Sequence, residues 1–384
     1  MIFSIISMSF SLVFAEAGNV TYIFGKVQKR DLSGKVTRLR KKESIVSGDT
    51  IITFKNGQVM LIMLDDSKIT IRPDTEFFIE KFLFKKNSKN NKSNYELAKG
   101  GFRSVTGIMG QKDKNSFKLK TNIATMGIRG TDFDLSYCES NCSDNQGLFV
   151  KVVSGSVSLS NDGGTKNIDA GDIGHVSDVG VPVKLVDELP KNMRIGTKGK
   201  SGKDSESYPT HEEQMVAIAL NEDPSAAMFQ ELVDSELPKK DIVKGAVSLG
   251  MEPTGVVETL LNIDPDNTDE IIEQSIDAIP ERASDFTTIG VALGDVSDDT
   301  LRKIEAKEGI DPKAIQSGES LGKLIAPRKE KRVEKVEKND KTGIGKIGSP
   351  VGELPKSKPE KLSPIDPQLL PGQGTGGGKP PSPS

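Results

Sequence analysis

The sequence predicts a multidomain chain: an all-β domain, β-solenoid-like or sandwich, then a small all-α module, then a disordered tail. Three observations predict it. Short runs rich in β-branched residues recur about every 8–12 residues from Gly18 to about Asp187. From His211 the apolar residues take helical spacing, in segments of about ten residues broken by Gly, Pro or Asp. Beyond Ile325 the chain turns to Lys, Arg and Glu, then to Pro, Gly and Ser. That composition buries too little apolar surface to offset the entropy of ordering. The boundaries follow: 1–15, a signal peptide; 16–188, the β domain; 189–210, a linker; 211–325, the helical module; 326–384, the tail.

Met1 to Phe14 is almost wholly apolar or hydroxylated, and Val13-Phe14-Ala15 is a small-residue cleavage site before Glu16. The run lacks a positive start, but reads as a secretion signal rather than a buried strand. It is short for a membrane span, and no later segment approaches that length. The expected place is therefore periplasmic or extracellular, with no transmembrane segment left after cleavage. Alternation then marks Asn19–Lys29, and Asp31-Leu32-Ser33-Gly34 turns the chain. Ser47-Gly48-Asp49 leads into Thr50–Phe54, and Lys55-Asn56-Gly57 is a hairpin signal before Gln58–Leu64. Lys68–Arg72 and Glu76–Phe82 follow, then a Lys-, Asn- and Ser-rich loop over Lys85–Asn94. Strands resume at Gly100 and end near Val186. Helices are expected near Gln214–Leu220, Ser225–Leu237, Lys240–Leu249, Pro253–Leu261, Thr268–Ala278 and Asp298–Lys307.

The segment TNIATMGIRGTDFDL, residues 121–135, is the sharpest local signature. Gly127 and Gly130 allow a tight backbone corner. Arg129 brings a five-donor fork to it, expected to tie the turns together through carbonyls or a carboxylate such as Asp132. Gly127, Arg129, Gly130 and Thr131 are thus read as a structural motif. Cys138 and Cys142 have three residues between them, which suits a small local disulfide in an exported chain. No second Cys pair or nearby His completes a metal tetrahedron.

Taken in order, SGDTIITFKNGQVMLIMLDDSKITIRPDTEF, ELAKGGFRSVTG, FKLKTNIATMGIRGTDFDL, LFVKVVSGSVSL and IDAGDIGHV form a combined pattern. Over residues 18–186 the chain resembles the FecR domain family. The resemblance implies an all-β domain, solenoid-like or sandwich. Its best-known members are periplasmic regulators that relay a signal from an outer-membrane receptor to a sigma factor; others are stand-alone exported proteins. Those regulators carry a sigma-binding segment and a transmembrane helix ahead of the domain. Here a signal-like peptide stands in that place, so the stand-alone architecture is the expectation.

Charge is segregated. Residues 81–120 hold eleven Lys and Arg against two Asp and Glu, while 204–300 hold twenty-three acids against four bases. Lys81, Lys85, Lys86, Lys89 and Lys92 form the expected surface for an anionic partner, either a protein or an envelope polymer. An internal docking of the basic β domain on the acidic helical module is a second expectation. Nucleic acid is not expected, because the loop from Lys85 has no aromatic interleaving until Tyr95. Asp264, Asp266, Asp269 and Glu270 fail the calcium-loop spacing and read as helix-capping acids. His175 and His211 lie in different modules without a nucleophile in motif context. GTKGKSGK at 196–203 misses the phosphate-loop spacing. No enzyme, cofactor or metal is expected. The function read from the sequence is a non-catalytic binding or scaffold module of the cell envelope; the alternative is a periplasmic component of a FecR-type signal-transduction system.

Overall fold

The structure, a computed structural model, describes residues 15–88, 90–112, 116–140, 142, 146–195 and 208–326. The expected signal peptide up to residue 14, Lys89, linker residues 196–207 and the tail from 327 lie outside the described residues. The strands are β1 (Glu16–Phe24), β2 (Val27–Arg30), β3 (Val36–Arg38), β4 (Ser44–Val46), β5 (Thr50–Thr53), β6 (Gln58–Met63), β7 (Lys68–Ile71) and β8 (Glu76–Leu83). After them come β9 (Lys92–Val105), β10 (Phe117–Lys120), β11 (Thr125–Cys138), β12 (Gly147–Asn161), β13 (Gly164–Asp169), β14 (Ile173–Val176) and β15 (Lys184–Val186). They belong to one hydrogen-bonded sheet. The short helix α1 (Ile108–Lys112) lies between β9 and β10.

The 14-residue β9 organises the sheet. Its first half pairs with β8 and, in parallel, with β10; its second half pairs with β7 and β11. The loop expected over Lys85–Asn94 is therefore shorter than its composition suggests. From Ser93 the chain alternates, with Ser93, Tyr95 and Leu97 buried, and that pattern lets it pair with β8. Asn91 closes the turn: its side chain accepts from the Lys85 amide at 2.8 Å and donates to the Lys85 carbonyl at 3.1 Å.

With no Trp in the chain, five rings carry the centre of the β core. Phe77, Tyr95, Phe117, Phe133 and Phe102 contact one another in a closed circuit, with centroids 4.9 to 5.9 Å apart. Such pairs favour tilted and edge-on geometry over face-to-face sandwiches.

The helical module holds α2 (His211–Glu222), α3 (Ala226–Asp234), α4 (Lys239–Ser248), α5 (Pro253–Ile263), α6 (Thr268–Ala278), α7 (Ala283–Ile289), α8 (Asp298–Glu305) and α9 (Pro312–Ile325). Their starts are legible in chemistry. Thr210 and Glu213 form a capping box on α2, Ser225 and Ser297 cap α3 and α8, and Pro253 and Pro312 open α5 and α9. α7 and α9 fall where no helix is expected from the apolar spacing. In α9, Gly318 and Gly322 weigh against a helix. They are tolerated because each lets α9 approach α7 closely, at the Ser284 and Thr288 carbonyls.

The module has its own apolar cluster, including Met215, Phe229, Leu232, Ile242, Val257, Leu260, Ile272, Phe286 and Ile304. That cluster does not stop at the helices. Phe24 and Met60, from β1 and β6, are buried in it, and Tyr22 packs against it. The sheet is thus covered on the face opposite its aromatic core.

Candidate functional site

Alternation along each strand sends every second side chain away from the aromatic core. On β7 these are Lys68 and Thr70, followed by Arg72; on β9, Arg103; on β11, Asp132, Asp134 and Ser136. In isolation this row reads as a solvent face. Instead α2 and the residues just before it cover the row. Arg72, Arg103, Thr70 and Asp134 are all at most 5 % exposed.

Two arginine–aspartate pairs hold this joint. Arg72 Nη2 donates to Asp134 Oδ2, and its Nη1 to the Asn192 carbonyl at 3.1 Å. The same carboxylate oxygen accepts from Tyr208 Oη at 2.8 Å and Gln214 Nε2 at 3.0 Å. Arg103 forks Asp132, Nε to Oδ1 at 3.0 Å and Nη2 to Oδ2 at 2.8 Å, and Nη1 donates to the Pro209 carbonyl. Its guanidinium lies 4.9 Å from the centre of the Tyr208 ring. Gln58 donates to the Met215 carbonyl, Glu231 accepts from the Gly25 amide, and Lys68 pairs with Glu212. Burial works against the charge of Arg103, and the bonds and field of Asp132 overcome it and raise its pKa. Burial, then Asp134, pushes the Tyr208 phenol well above its usual range, so it stays a donor.

His211 opens α2 inside this joint. Its Nδ1 shares a 2.6 Å hydrogen bond with Thr70 Oγ1. Burial first, then Arg103, Lys68 and Arg72, holds its pKa well below the usual imidazole value. The folded chain therefore keeps His211 neutral, while the unfolded chain protonates it near pH 6.5. Below about pH 6.5 the unfolded state binds more protons, and stability falls with pH. Asp241 on α4 acts in the opposite direction. Burial, then Glu212 and Glu213, raises it to about 6, so its stabilisation is present at low pH and is lost as pH rises through that value. His211→Gln is therefore expected to shrink the loss of melting temperature between about pH 7.5 and 5.5. An equal loss in both proteins would show that His211 does not set it.

The RGT corner is a β-bulge. Arg129 pairs with Ser156 and Asp132 with Ser154, so Gly130 and Thr131 together face Gly155. Gly130 has φ 56°, and a Cβ on Gly155 would strike the Gly130 carbonyl. The Thr131 hydroxyl accepts from the Arg129 amide at 3.2 Å and donates to the Ser156 carbonyl at 2.8 Å. Thr106 Oγ1 accepts from the Thr131 amide and donates to its carbonyl. The corner is tied by threonines. The side chain of Arg129 is exposed, and Asp132, its expected partner, is taken by Arg103. The bulge also shifts the alternation by one residue. Met126 and Ile128 face the core before it; Phe133, Leu135 and Tyr137 do so after it. Asp132 and Asp134 are thereby aimed at α2 rather than into the core.

The lysine surface stands apart from the joint. Lys81, Lys85, Lys86 and Lys92 are exposed on the β8–β9 hairpin, and no ion pair engages them among the described residues. The modules meet with basic side chains on the β domain and acids on the helical module, but through other lysines than those of the hairpin. Cross-module ion pairs come from Lys41, Lys55 and Lys68, not from the hairpin. A disulfide joins Cys138 and Cys142 at the end of β11. Of the acids near residue 264, Asp264 pairs with Lys239 at 3.0 Å and Asp269 accepts from the Ser297 amide and hydroxyl. His175 stacks on Phe149.

Residues 49–158 match the family model described as FecR protein. The FecR segment runs from the turn ahead of β5 into β12, and includes the bulge, the hairpin and both arginine–aspartate pairs. It contains none of α2–α9, and so not the α2 that covers those pairs. No curated protein matches the chain. Among solved structures, the chain is similar to two of an anti-sigma factor candidate from Parabacteroides distasonis ATCC 8503. Identity is 12 % and the TM-score 0.31, over 39 % of this chain. The chain spans less than two thirds of either, 64 % and 65 %. It is also similar to a cell surface anchoring domain, at 24 % identity and a TM-score of 0.16, over 16 % of this chain and 82 % of that one. Among the described residues no helix is long and apolar enough to cross a membrane.

The joint itself was hidden in the sequence. Lys68, Thr70 and Arg72 alternate with isoleucines, as a wet strand face would. One signal was available: Asp132 and Asp134 lie two apart, hence on one face, alternating with Phe133 and Leu135. Two like charges side by side on a strand call for a cationic partner.

Proposed function

We propose that the chain is a non-catalytic binding module of FecR type in the cell envelope, meeting an acidic protein partner through its β8–β9 hairpin. The observation that carries the reading is the division of labour within the FecR segment. Its polar covered face is spent on holding the helical module, while the hairpin keeps exposed lysines clear of that joint. A cationic patch on an exposed hairpin steers and orients an acidic partner. The apolar start at residues 1–14 and the Cys138–Cys142 disulfide support an oxidising compartment outside the cytoplasm.

The second reading is a periplasmic component of a FecR-type signal-transduction system, favoured by the family match itself. One experiment separates the two. The full chain, tagged, is used to capture partners from an envelope fraction, beside a variant carrying Lys81→Glu, Lys85→Glu and Lys92→Glu. Capture is expected to weaken with salt and to fall at least about tenfold in the variant. Recovery of a membrane receptor or a sigma regulator would select signalling. Capture that ignores both salt and the three changes would remove the hairpin from the function.

A further inference from the structure

The exposed Arg129 borders a groove that the joint and the hairpin do not use. The groove, of about 520 Å³, lies on the outer face of β10, β11, β12 and β13. Its floor is set by register. Gly127 pairs with Ser158, which pairs with Asn167; Arg129 pairs with Ser156. Lys118 precedes Leu119, the partner of Met126, and so stands beside Gly127. A side chain at Gly127 would meet nothing within 4 Å, so the glycine leaves a trough in the sheet face. Two cations line the groove and no carboxylate does. Asp169, opposite Ser156 on β13, lies outside the lining.

We propose that this groove binds an acidic oligosaccharide, with a carboxylate seated over Gly127 between Lys118 and Arg129 and sugar hydroxyls on Ser156, Ser158 and Asn167. Each part of the chemistry has a reason. A polar floor of hydroxyls and an amide can both donate and accept, which suits a ligand made of hydroxyl groups. The cations select a charged sugar over a neutral one. Arg129 is free to act because Asp132 is held by Arg103, and its backbone is pinned by Thr131. A peptide strand would pair at a sheet edge and seat side chains in apolar pockets, and this face offers hydroxyls instead.

The test uses the full chain, with trigalacturonate as probe and maltotriose and inorganic phosphate as comparisons, measured by titration calorimetry. Trigalacturonate is expected to bind more tightly than either, and less tightly as salt rises. Arg129→Ala is expected to weaken it at least about tenfold. Gly127→Val should do the same by filling the trough. It should keep the melting temperature, because the new side chain enters open space and a β-branched residue suits a strand. The Lys81→Glu, Lys85→Glu and Lys92→Glu variant should bind the sugar as the natural chain does, which separates this site from the hairpin. Equal binding of maltotriose, equal binding of phosphate, no binding of trigalacturonate, or indifference to Arg129→Ala and Gly127→Val would each overturn the proposal.

Discussion

Replacing Asp134 by Ala is expected to destabilise the chain by about 3–5 kcal/mol, by loosening the helical module from the sheet. Asp134 is fully buried and accepts from Arg72, Tyr208 and Gln214. Its loss strands the Arg72 charge without a counter-ion and leaves two donors unmet. The cost comes from that imbalance rather than from the pair's own attraction, because desolvating both charges consumes most of what they gain. Removing both, as Arg72→Met with Asp134→Leu, should therefore recover much of the loss. Hydrogen exchange is the discriminating measurement. Amides of α2 should lose protection in Asp134→Ala while those of β9 and β11 keep theirs. Unchanged protection of α2 would mean that the joint is held elsewhere, at the apolar contacts of Phe24 and Met60.

The adjacent residue gives the second large effect through the other face of the same strand. Phe133→Ala is expected to cost about 3–5 kcal/mol. It removes the ring that contacts both Phe102 and Phe117, and opens a cavity at the centre of the aromatic circuit. Protection should now fall across β9, β10 and β11 together, because these strands share the ring's packing. A loss confined to α2 would contradict this assignment. Phe133 and Asp134 thus divide the stability of the β domain from its grip on the helices, although one peptide bond joins them.

Much of the architecture is written locally. Lys55-Asn56-Gly57 turns the chain between β5 and β6, although the hairpin expected there does not form, because β5 pairs with β2 and β8 and β6 with β1 and β7. Ser225 and Ser297 cap helices where their chemistry says they should. Asp49, in the turn ahead of β5, accepts from the Val46 amide at 2.9 Å. What is less legible depends on partners distant in sequence. The stretch from Lys92 looks like loop by composition, and becomes strand because Tyr95 and Leu97 find the core. α9 looks too rich in glycine, and becomes helix because those glycines admit α7. Arg129 looks like a tie, and is left free because Arg103 reaches Asp132 first.

The sequence by itself determined the β domain, its FecR pattern, the helical module and the corner at Gly130, because turns, caps and alternation act over a few residues. Only the tertiary structure decided which face of the sheet is dry. Alternation separates two sides of a strand but says nothing of what covers the polar one. That was settled by Tyr208, His211 and Gln214, which lie far along the chain and meet Thr70, Arg103 and Asp134 only once the modules have folded together.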